Sequence, residues 1–379
     1  MRKSFKYRIY PSKSQTTILK QALETCRCLY NNNLACRKES YEKEKKNISY
    51  IGSTNLLKSQ KEINPYLMKV HSQVLQEVLK RVDSAYMGFF RRVKSKKGKV
   101  GFPRFKGRGR YDSFTFPQSG WKLIEEKNLV RLSKIGSVKI RFHRPIEGII
   151  KTCTVIKSST NKWYVCFNCD VGEKLTVPIN LKKSVGIDLG IKVFATMSDK
   201  TKIANPRFFK EFAERIAVAQ QKLSNLEKGS NEREKQKKII SHIYEKLTNK
   251  RRDFAHKESL KLVKKYNTIC LEKLNTTSML ENSVKDKPKV VSKNLHKAIV
   301  DVAWKRFINY VMYKAEYAGT NVVIVNPKNT SKMCSRCGRI VDKDLSVRTH
   351  NCSFCDLKID RDLNASINIL RLGTQSLKA

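Results

Sequence analysis

The first part of the chain combines one strand pattern with two helical patterns. Residues 3–10, KSFKYRIY, alternate between apolar and polar positions, which predicts a strand at the edge of a sheet. Ser12 and Gln15 then form a capping-box pattern ahead of apolar residues at helical spacing. A second helix is predicted over about residues 71–90, where valines recur every four positions. These patterns predict a helical part over about residues 12–95.

From about residue 114 to 171 the pattern changes to short alternating runs broken by Gly, Pro and Asn. Such runs predict a small antiparallel, barrel-like β part. We expect this β part to comprise residues 1–11 and about 96–184, with residues 174–184 as a linker. Residues 1–184 are therefore predicted to form an N-terminal nucleic-acid-binding lobe with a helical part and a β wedge.

The second half alternates apolar strand patterns with long helical ones, which predicts an α/β domain over residues 185–379. The strands are expected around the letters GIDL, VFATM, ICLE and NVVIV. Two highly charged helices, about 207–228 and 231–265, have the pattern of a hairpin lying along a nucleic-acid backbone. One further helix is predicted over residues 294–319.

The net charge of the chain indicates its class of binding partner. Lysine and arginine number 79 against 33 acidic residues, a formal charge of +46 spread along the whole chain. This is far above the charge of about 2–8 that keeps a small domain soluble. Nucleic-acid phosphates are the partner that best offsets such an excess. No signal peptide and no bilayer-spanning apolar run is visible, so we expect a soluble intracellular protein without a membrane partner.

The segment RRVKSKKGKVGFPRFKGRGR, residues 91–110, contains ten basic residues and no acid. Its glycines allow the backbone to approach phosphates, and its phenylalanines can stack on bases. A solvated basic loop is the alternative interpretation. We predict nucleic-acid contact through the following side chains: Arg91, Arg92, Lys96, Lys97, Lys99, Phe102, Arg104, Phe105, Lys106, Arg108 and Arg110.

The cysteines indicate a metal site rather than disulfide bonds, because eleven is an odd number and the chain is expected to be intracellular. Cys166 and Cys169 lie in a strand pattern, where their side chains point to opposite faces. Four other cysteines form the motif C-x2-C-x14-C-x2-C. This motif predicts one structural zinc in a ribbon over residues 330–358, held by Cys334, Cys337, Cys352 and Cys355. The alternative interpretation of the motif is two unrelated redox pairs.

Three acids occupy unusual positions in the second half. Asp188 lies inside an apolar strand, Glu272 ends another, and Asp362 begins a helical pattern after the ribbon. Considered separately, Asp188 could be a buried acid with hydrogen-bond partners, Glu272 a surface acid and Asp362 a helix-capping acid. Together they read as hard oxygen ligands from separate elements, the set that two Mg²⁺ ions about 3.5–4 Å apart require.

Four motifs carry a family resemblance, in the order GIDLGIKVFAT, ICLEKLN, NPKNTSKMCSRCG and DRDLNASINIL. With the YRIYPSKSQ start and GFPRFK, they resemble the TnpB (OrfB) family of insertion-sequence elements, ancestral to type V CRISPR effectors. The resemblance implies a ribonuclease-H-like (RuvC) nuclease domain with an inserted zinc ribbon. It also implies that Asp188, Glu272 and Asp362 are the catalytic triad, with Asp362 preferred over Asp360 as the ligand.

The resemblance further implies an RNA-guided DNA endonuclease of the prokaryotic cytosol, associated with the nucleoid. Its cofactors would be two Mg²⁺ ions, with Mn²⁺ as a substitute, one Zn²⁺ and a guide RNA transcribed from the transposon end. Its substrate would be guide-matched DNA beside a short target-adjacent motif, and a monomer is favoured. Three alternatives stay open: a nuclease-inactive RNA-guided repressor, a transposase accessory protein, and a compact type V CRISPR effector.

Several further residues have weaker signals. None of the six histidines forms the His-x-His pair of tyrosine-type single-strand transposases, which argues against strand transfer by this chain. His256 is expected to make a surface contact, and His350 to neighbour the zinc ligands. Trp304 is predicted to be core, and Asn364 to steady the helix that carries Asp362.

Overall fold

The computed structural model describes residues 1–95, 100–172, 183–282, 289–344 and 347–377, without the side chains of 277, 281–282 and 289–293. Its contacts divide the chain into two compact units, Met1–Glu173 and Lys174–Ala379. The linker predicted over residues 174–184, and with it the predicted boundary, falls mostly on residues outside the described part of the chain. Lys96, Lys97 and Lys99 also lie outside it.

The first unit begins with a strand, continues with four helices and ends with six more strands. Its helices are α1 (Lys13–Glu44), α2 (Tyr50–Ile63), α3 (Pro65–Met68) and α4 (Ser72–Ser95). Its strands are β1 (Arg2–Tyr10), β2 (Ser113–Phe116), β3 (Trp121–Ile124), β4 (Leu129–Leu132), β5 (Gly136–Arg141), β6 (Ile149–Lys157) and β7 (Trp163–Asp170). The predicted helical and antiparallel β parts are both present.

The seven strands form one antiparallel sheet in the order β2-β6-β7-β1-β5-β4-β3. The prediction that β1 is an edge strand was wrong, because β1 pairs with β7 on one side and β5 on the other. Its alternation has a different cause: Phe5, Tyr7 and Ile9 are fully buried on one face of the sheet. A half-buried central strand and an edge strand share this period-two pattern.

Helix α1 begins as its sequence predicts. The Ser12 hydroxyl accepts a hydrogen bond from the Gln15 amide, and the Gln15 side chain accepts one from the Ser12 amide. The reciprocal pair satisfies two amides that the first turn of a helix leaves without partners. Helix α1 then packs against α4, whose Val74, Val78 and Val82 are buried in the common core.

The second unit contains a five-stranded mixed sheet and a small separate hairpin. Its strands are β8 (Ser184–Leu189), β9 (Val193–Met197), β10 (Lys202–Ala204), β11 (Thr268–Glu272), β12 (Asn321–Val325), β13 (Thr349–Asn351) and β14 (Lys358–Asp360). The sheet order is β10-β9-β8-β11-β12. Strands β8, β11 and β12 run parallel to one another, and β9 pairs antiparallel with both β8 and β10. Strands β13 and β14 pair with each other.

Six helices accompany these strands. They are α5 (Phe208–Ser224), α6 (Asn231–Lys265), α7 (Thr276–Asn282), α8 (Lys289–Val302), α9 (Trp304–Ala318) and α10 (Arg361–Gln375). Helices α5 and α6 pack together as the predicted hairpin. The single helix predicted over residues 294–319 was wrong, because the chain breaks at Ala303, where φ is 52°. Trp304, directly after the break, is buried in the core as predicted.

Helix α10 packs directly on the sheet, and two glycines make this close approach possible. A Cβ at Gly186 of β8 would lie 2.1 Å from the Ser366 carbonyl oxygen and 2.5 Å from the Leu370 amide nitrogen. A Cβ at Gly373 of α10 would lie 2.3 Å from the Cys270 sulfur. Because real Cβ contacts do not reach these distances, the helix can lie this near β8 and β11 only with glycine at both positions.

None of the helices in the described residues is long and apolar enough to cross a membrane.

Candidate functional site

Two of the three predicted acids lie side by side at the carboxyl ends of parallel strands. Ile187 of β8 pairs with Leu271 of β11, so Asp188 and Glu272 follow at the next level on neighbouring strands. Residues in register on adjacent strands project from the same face of the sheet. Strand register alone therefore brings together two carboxylates that are far apart in the sequence.

The third acid arrives from the helix above that face. Gly186, two residues before Asp188, lies against the Ser366 carbonyl of α10. Asp362 is one helical turn before Ser366, about 6 Å along the helix axis, while Asp188 is about 6.6 Å along the strand from Gly186. Asp362 also raises the pKa of Asp188. The N-terminal turn of α10 thus lies toward Asp188.

Asp188 shows the electrostatic cost of this arrangement. Burial, followed by repulsion from Glu272 and then Asp362, raises the pKa of Asp188 to about 8, although Arg361 partly offsets it. Burial and neighbouring carboxylates both disfavour the charged form of a carboxyl group, and a nearby cation would oppose both effects. The site therefore favours a bound positive charge.

Glu272 is also shifted, and it has one neutral partner. Burial raises the pKa of Glu272, and the Thr330 hydroxyl, which donates a hydrogen bond to Glu272 Oε2 at 3.3 Å, opposes the shift. Thr330 is itself buried in the segment that follows β12. This hydrogen bond engages one of the two carboxylate oxygens of Glu272.

Asp362 differs from the other two acids because it has cationic neighbours. Both Nε and an Nη of Arg361 donate to Asp362 Oδ1, at 3.0 and 2.9 Å. Arg348 of the cysteine-containing segment lies 3.9 Å from Asp362 Oδ2. These contacts give Asp362 Oδ1 a close cationic partner and Oδ2 a more distant one.

The role of helix cap belongs to Asp360. Its side chain accepts hydrogen bonds from the amides of Asp362 and Leu363, at 2.9 and 3.1 Å. It also pairs with Lys202 at 3.1 Å. The two acids of the DRD sequence therefore have different contacts: Asp360 caps α10, and the carboxylate of Asp362 contacts Arg361 and Arg348.

The four cysteines predicted to hold zinc lie closer together than the three acids. Their sulfur atoms all lie within 4.8 Å of one another, with 3.6 Å separating Cys334 from Cys355 and Cys337 from Cys352. Four ligands at the usual Zn–S length of about 2.3 Å would be about 3.8 Å apart at the corners of a tetrahedron. The spacing fits zinc. Within the described part of the chain, this is the one group of three or more ligand side chains already close enough to hold an ion.

Each pair of cysteines lies in the same kind of turn. Gly338 and Asp356, the residues after the second cysteine of each pair, both have positive φ and donate an amide hydrogen bond back to the first cysteine's carbonyl. Burial raises the pKa of Cys334, but the amides of Cys337 and Arg336 outweigh it and bring the pKa to about 6. The pKa of Cys355 moves the opposite way, through desolvation and hydrogen bonding to its neighbouring thiols. Such amide-lined turns stabilise thiolates.

Two asparagines connect the cysteine ribbon to the acidic site. Asn364 accepts a hydrogen bond from the Ser335 amide at 2.9 Å and donates to the Met333 carbonyl at 2.8 Å. Asn368 donates to the Thr330 and Met333 carbonyls at 2.9 and 2.7 Å. Both side chains are fully buried on α10. They fix the beginning of the ribbon to the helix that carries Asp362.

Residues 91–95 and 100–110 of the basic segment belong to the described part of the chain. Arg91 is exposed near the end of α4, and Arg92 donates to the Gly101 carbonyl at 2.9 Å. Asn31 of α1 forms two hydrogen bonds with the backbone of Lys106, which fix the segment to the helix. The remaining predicted contact residues in the described part of the segment are exposed: Phe102, Arg104, Phe105, Lys106, Arg108 and Arg110. They stay a prediction as nucleic-acid contacts.

Other predicted residues have simple structural roles. His256 stacks on Tyr310 with ring centroids 4.0 Å apart, and its carbonyl accepts a hydrogen bond from Lys314. His350 is fully buried beside Cys334 and helps to lower the pKa of that thiol. His256 therefore joins α6 to α9, and His350 belongs to the ribbon.

Sequence reasoning did not identify Thr330, Arg348 or Arg361. Thr330 lies in the quoted motif NPKNTSKMCSRCG, four residues before the first cysteine, and Arg361 lies between the two acids of DRD. The positions of Thr330 and Arg361 inside these motifs could have identified them as candidates. Arg348 has no such signal, because only the folded ribbon brings it near Asp362.

Comparison with known proteins now defines the class. A family model described as "Probable transposase" (OrfB of IS605) matches residues 167–283, and one described as "Cas12f1-like, TNB domain" matches residues 304–369. A "Helix-turn-helix domain" model matches residues 1–46, which in this chain form β1 and α1. The fold resembles the protein in a cryo-EM structure of a Cas12f1–sgRNA–target DNA complex, with a TM-score of 0.59, 16% identity and coverage of 95% of this chain and 83% of that chain.

Full-length relatives then give the family. The chain is 30% identical over 379 residues to "Putative RNA-guided DNA endonuclease InsQ" of Escherichia coli, which covers 98% of this chain and 92% of the relative. It is also 30% identical to a "Putative RNA-guided DNA endonuclease" of Streptomyces pristinaespiralis, covering 98% and 90%. The chain belongs to the TnpB (OrfB) family, and the predicted resemblance is confirmed.

Proposed function

We propose that this protein is an RNA-guided DNA endonuclease whose second unit is a ribonuclease-H-like (RuvC) nuclease domain interrupted by a zinc ribbon. The mixed sheet, with acids on two neighbouring parallel strands and a third on the helix packed over them, supports this assignment. The family relationship supports the same assignment, because two full-length relatives carry that activity in their names.

Asp188, Glu272 and Asp362 would hold Mg²⁺, or Mn²⁺ in its place. The donor set fits, since all three are carboxylates and hard divalent cations select oxygen ligands. Bound metal would neutralise the site and supply an activated water for phosphodiester hydrolysis. Thr330 orients Glu272, and Arg361 and Arg348 balance the charge of Asp362. The four cysteines would hold one structural Zn²⁺, which leaves no open coordination position for chemistry.

The partners are a guide RNA and target DNA. The charge of +46 provides the electrostatic attraction for both, and a Cas12f1 structure of related fold holds an sgRNA and a target DNA. Base pairing with the guide would select the target, while the N-terminal unit contacts backbone and a short target-adjacent motif. Residues 1–184 would form this nucleic-acid-binding lobe and residues 185–379 the nuclease lobe, with one chain as the working unit.

One observation carries the proposal: Asp188 and Glu272 lie on neighbouring parallel strands, against which the helix that begins with Asp362 is packed. The test is to incubate the purified complex with co-expressed guide RNA and a matched supercoiled plasmid, with Mg²⁺ or with EDTA. Asp188→Ala should bind the plasmid and cut it at least roughly a thousandfold more slowly, because it lacks a metal ligand. Asp253→Asn removes an exposed acid that forms an ion pair with Lys257, and it serves as the matched control.

Two outcomes would contradict this assignment. Cutting that persists in EDTA, or that is equal in Asp188→Ala and the wild type, would remove the acidic site from the reaction. Guide-dependent plasmid binding by the wild type with no cutting at any divalent-metal concentration would support the repressor alternative instead. The compact CRISPR effector predicts the same cutting, and the origin of the co-purifying RNA distinguishes it.

A further inference from the structure

An open cavity in the first unit has the composition of a base-binding pocket. It lies between the C-terminal ends of α1 and α4 and the segment that follows α4, and its volume is about 640 Å³. This is within the range of about 300–1,000 Å³ that holds small organic groups in proteins. Its lining residues are Arg37, Lys38, Tyr41, Glu42, Lys45, Asn47, Tyr86, Phe89, Phe90 and Phe102.

Aromatic rings form one wall of this pocket. Phe90 and Tyr86 are nearly parallel, with centroids 6.3 Å apart, and Phe102 meets the edges of both Tyr86 and Phe89 at 5.5 and 5.3 Å. Tyr41 lies on the opposite helix. Phe90, Phe102 and Tyr41 remain 55%, 43% and 58% exposed. Large aromatic surfaces left open in this way mark binding sites more often than they mark ordinary surface.

The charges around the rings are those that suit a phosphodiester chain. Three cationic side chains and one carboxylate line the pocket: Arg37, Lys38, Lys45 and Glu42. Arg37 is buried over the Tyr86 ring and paired with Asp83, so it is part of the wall. Lys38 and Lys45 are exposed at the rim, and the contact of Lys38 with Glu42, at 3.6 Å, is the weak kind made at a surface.

One polar side chain at the surface of the pocket can contact a ligand. The amide of Asn47 is exposed and can both donate and accept hydrogen bonds at the cavity. It can therefore contact the polar edge of a ligand that the rings hold by its faces. The Tyr86 hydroxyl is buried, so Tyr86 contributes to the pocket through its ring.

We propose that this pocket, defined by Tyr41, Tyr86, Phe90 and Phe102, binds an unpaired nucleobase of a single-stranded nucleic acid whose phosphates lie against Lys38 and Lys45. The inference rests on the proposed function, which brings single-stranded RNA and displaced DNA to this protein. A flat aromatic base matches the open rings, and its polar edge matches the exposed amide of Asn47. The rim charge favours a polyanion over an apolar peptide.

This pocket would act differently from the basic segment beside it. Lysine and arginine contacts follow the backbone and weaken with salt, whereas stacking holds one base and depends little on ionic strength. A base held at Phe90 and Phe102 would fix the position of one nucleotide on the first unit. The site would thus set the register of a strand, in addition to adding affinity.

The experiment uses the full-length protein and short oligonucleotides that carry 2-aminopurine, whose fluorescence falls when it stacks on an aromatic ring. One arm uses single-stranded RNA of the co-purifying guide sequence, with 2-aminopurine at each unpaired position in turn. The second arm uses single-stranded DNA of the displaced-strand sequence. Titrations at low and high salt separate stacking from charge contacts.

Phe90→Ala and Tyr66→Ala form the matched pair, because the two rings are 55% and 54% exposed and, of the two, Phe90 alone lines the pocket. Phe90→Ala should weaken binding roughly 5- to 150-fold and abolish the quenching at one position, while Tyr66→Ala changes neither by more than about twofold. Tyr41→Ala gives an independent check. Its ring is exposed and contacts only Lys45 among the described ring and cation pairs, so this variant should fold normally.

The outcomes separate this inference from the function on which it rests. Quenching at a single position that Phe90→Ala and Tyr41→Ala both remove supports the pocket, and the arm in which it occurs identifies the strand. Tight binding without quenching, or equal losses in Phe90→Ala and Tyr66→Ala, overturns the pocket alone. Failure of the wild type to bind either oligonucleotide overturns the proposed function together with the pocket.

Discussion

The cysteine cluster and the acidic site belong to the same unit, but the chain builds them in different ways. The cysteines come from two similar turns within residues 334–355, and their sulfur atoms already lie within 4.8 Å of one another. The acids come from positions 188, 272 and 362, and they lie close enough to repel one another without the same tight convergence. One site is formed by local turns, and the other is formed by the packing of α10 on the sheet.

This difference indicates what each site needs in order to exist. The two hydrogen-bonded turns bring the four sulfur atoms together, and backbone amides help to lower the pKa of Cys334, so the cluster is formed within its own segment. Glu272 and Asp362 repel the Asp188 carboxylate, so the rest of the unit must hold the three acids near one another. Packing at Gly186 and Gly373, and the hydrogen bonds of Asn364 and Asn368, supply that constraint.

The largest effect should follow from removing one cysteine. Cys352→Ser should lose the bound zinc and unfold the ribbon, because structural zinc contributes about 10–16 kcal/mol of binding free energy in small domains. Zinc content and a thermal melt measure this directly, and DNA cutting should fall with them. Cys166→Ser, in a strand of the first unit, is the control and should keep one zinc per chain. Normal zinc content in Cys352→Ser would contradict the assigned ligand set.

A smaller effect should separate the two sites. In Gly186→Ala the new Cβ would meet the Ser366 carbonyl at 2.1 Å, so α10 must move away from β8. We expect about 1–3 kcal/mol of destabilisation and a large loss of cutting, with zinc retained, because the cysteine turns do not depend on this contact. Gly88→Ala in α4 has room for its Cβ and is the matched control. Zinc loss in Gly186→Ala would show that the two sites are not separable in this way.

The smallest effect is a change in pH dependence. Because the pKa of Asp188 is raised to about 8 from an unfolded value of about 3.9, the folded metal-free protein binds a proton that the unfolded chain releases. Stability should therefore decrease as pH rises from about 4 through 8. Asp188→Asn should flatten this dependence and raise the melting temperature by several degrees at pH 9 in EDTA. Equal melting curves for wild type and Asp188→Asn at pH 9, or the same flattening in Asp253→Asn, would count against it.

Patterns within one short segment predicted the structure well. The capping box at Ser12, the valine spacing of α4, the charged hairpin of α5 and α6, and the cysteine turns are each specified by neighbouring residues, and the structure contains all of them. Their determinants are hydrogen bonds or contacts over a few positions. Such features are available to sequence reasoning because the chain between the partners is short.

Features that depend on distant partners were harder to predict. Strand β1 was predicted at an edge because alternation indicates only that one face of a strand is buried. It does not indicate that β5 and β7, which follow much later in the chain, pair with β1 on both sides. The break at Ala303 has no Gly or Pro to announce it, and apolar spacing continues across it. Likewise, the pairing of Thr330 with Glu272 depends on where β12 ends relative to β11. These are properties of the folded chain.

The hydrogen bonds of Asn364 and Asn368 have a consequence for engineering this family. They join the root of the ribbon, at Thr330, Met333 and Ser335, to a helix that lies beyond the ribbon in the sequence. A chimera that exchanged only the cysteine-bearing segment would leave two amides facing a foreign backbone. Transplants should therefore carry residues 330–335 and the whole of α10 as one cassette, while changes confined to the tip of the ribbon should be tolerated.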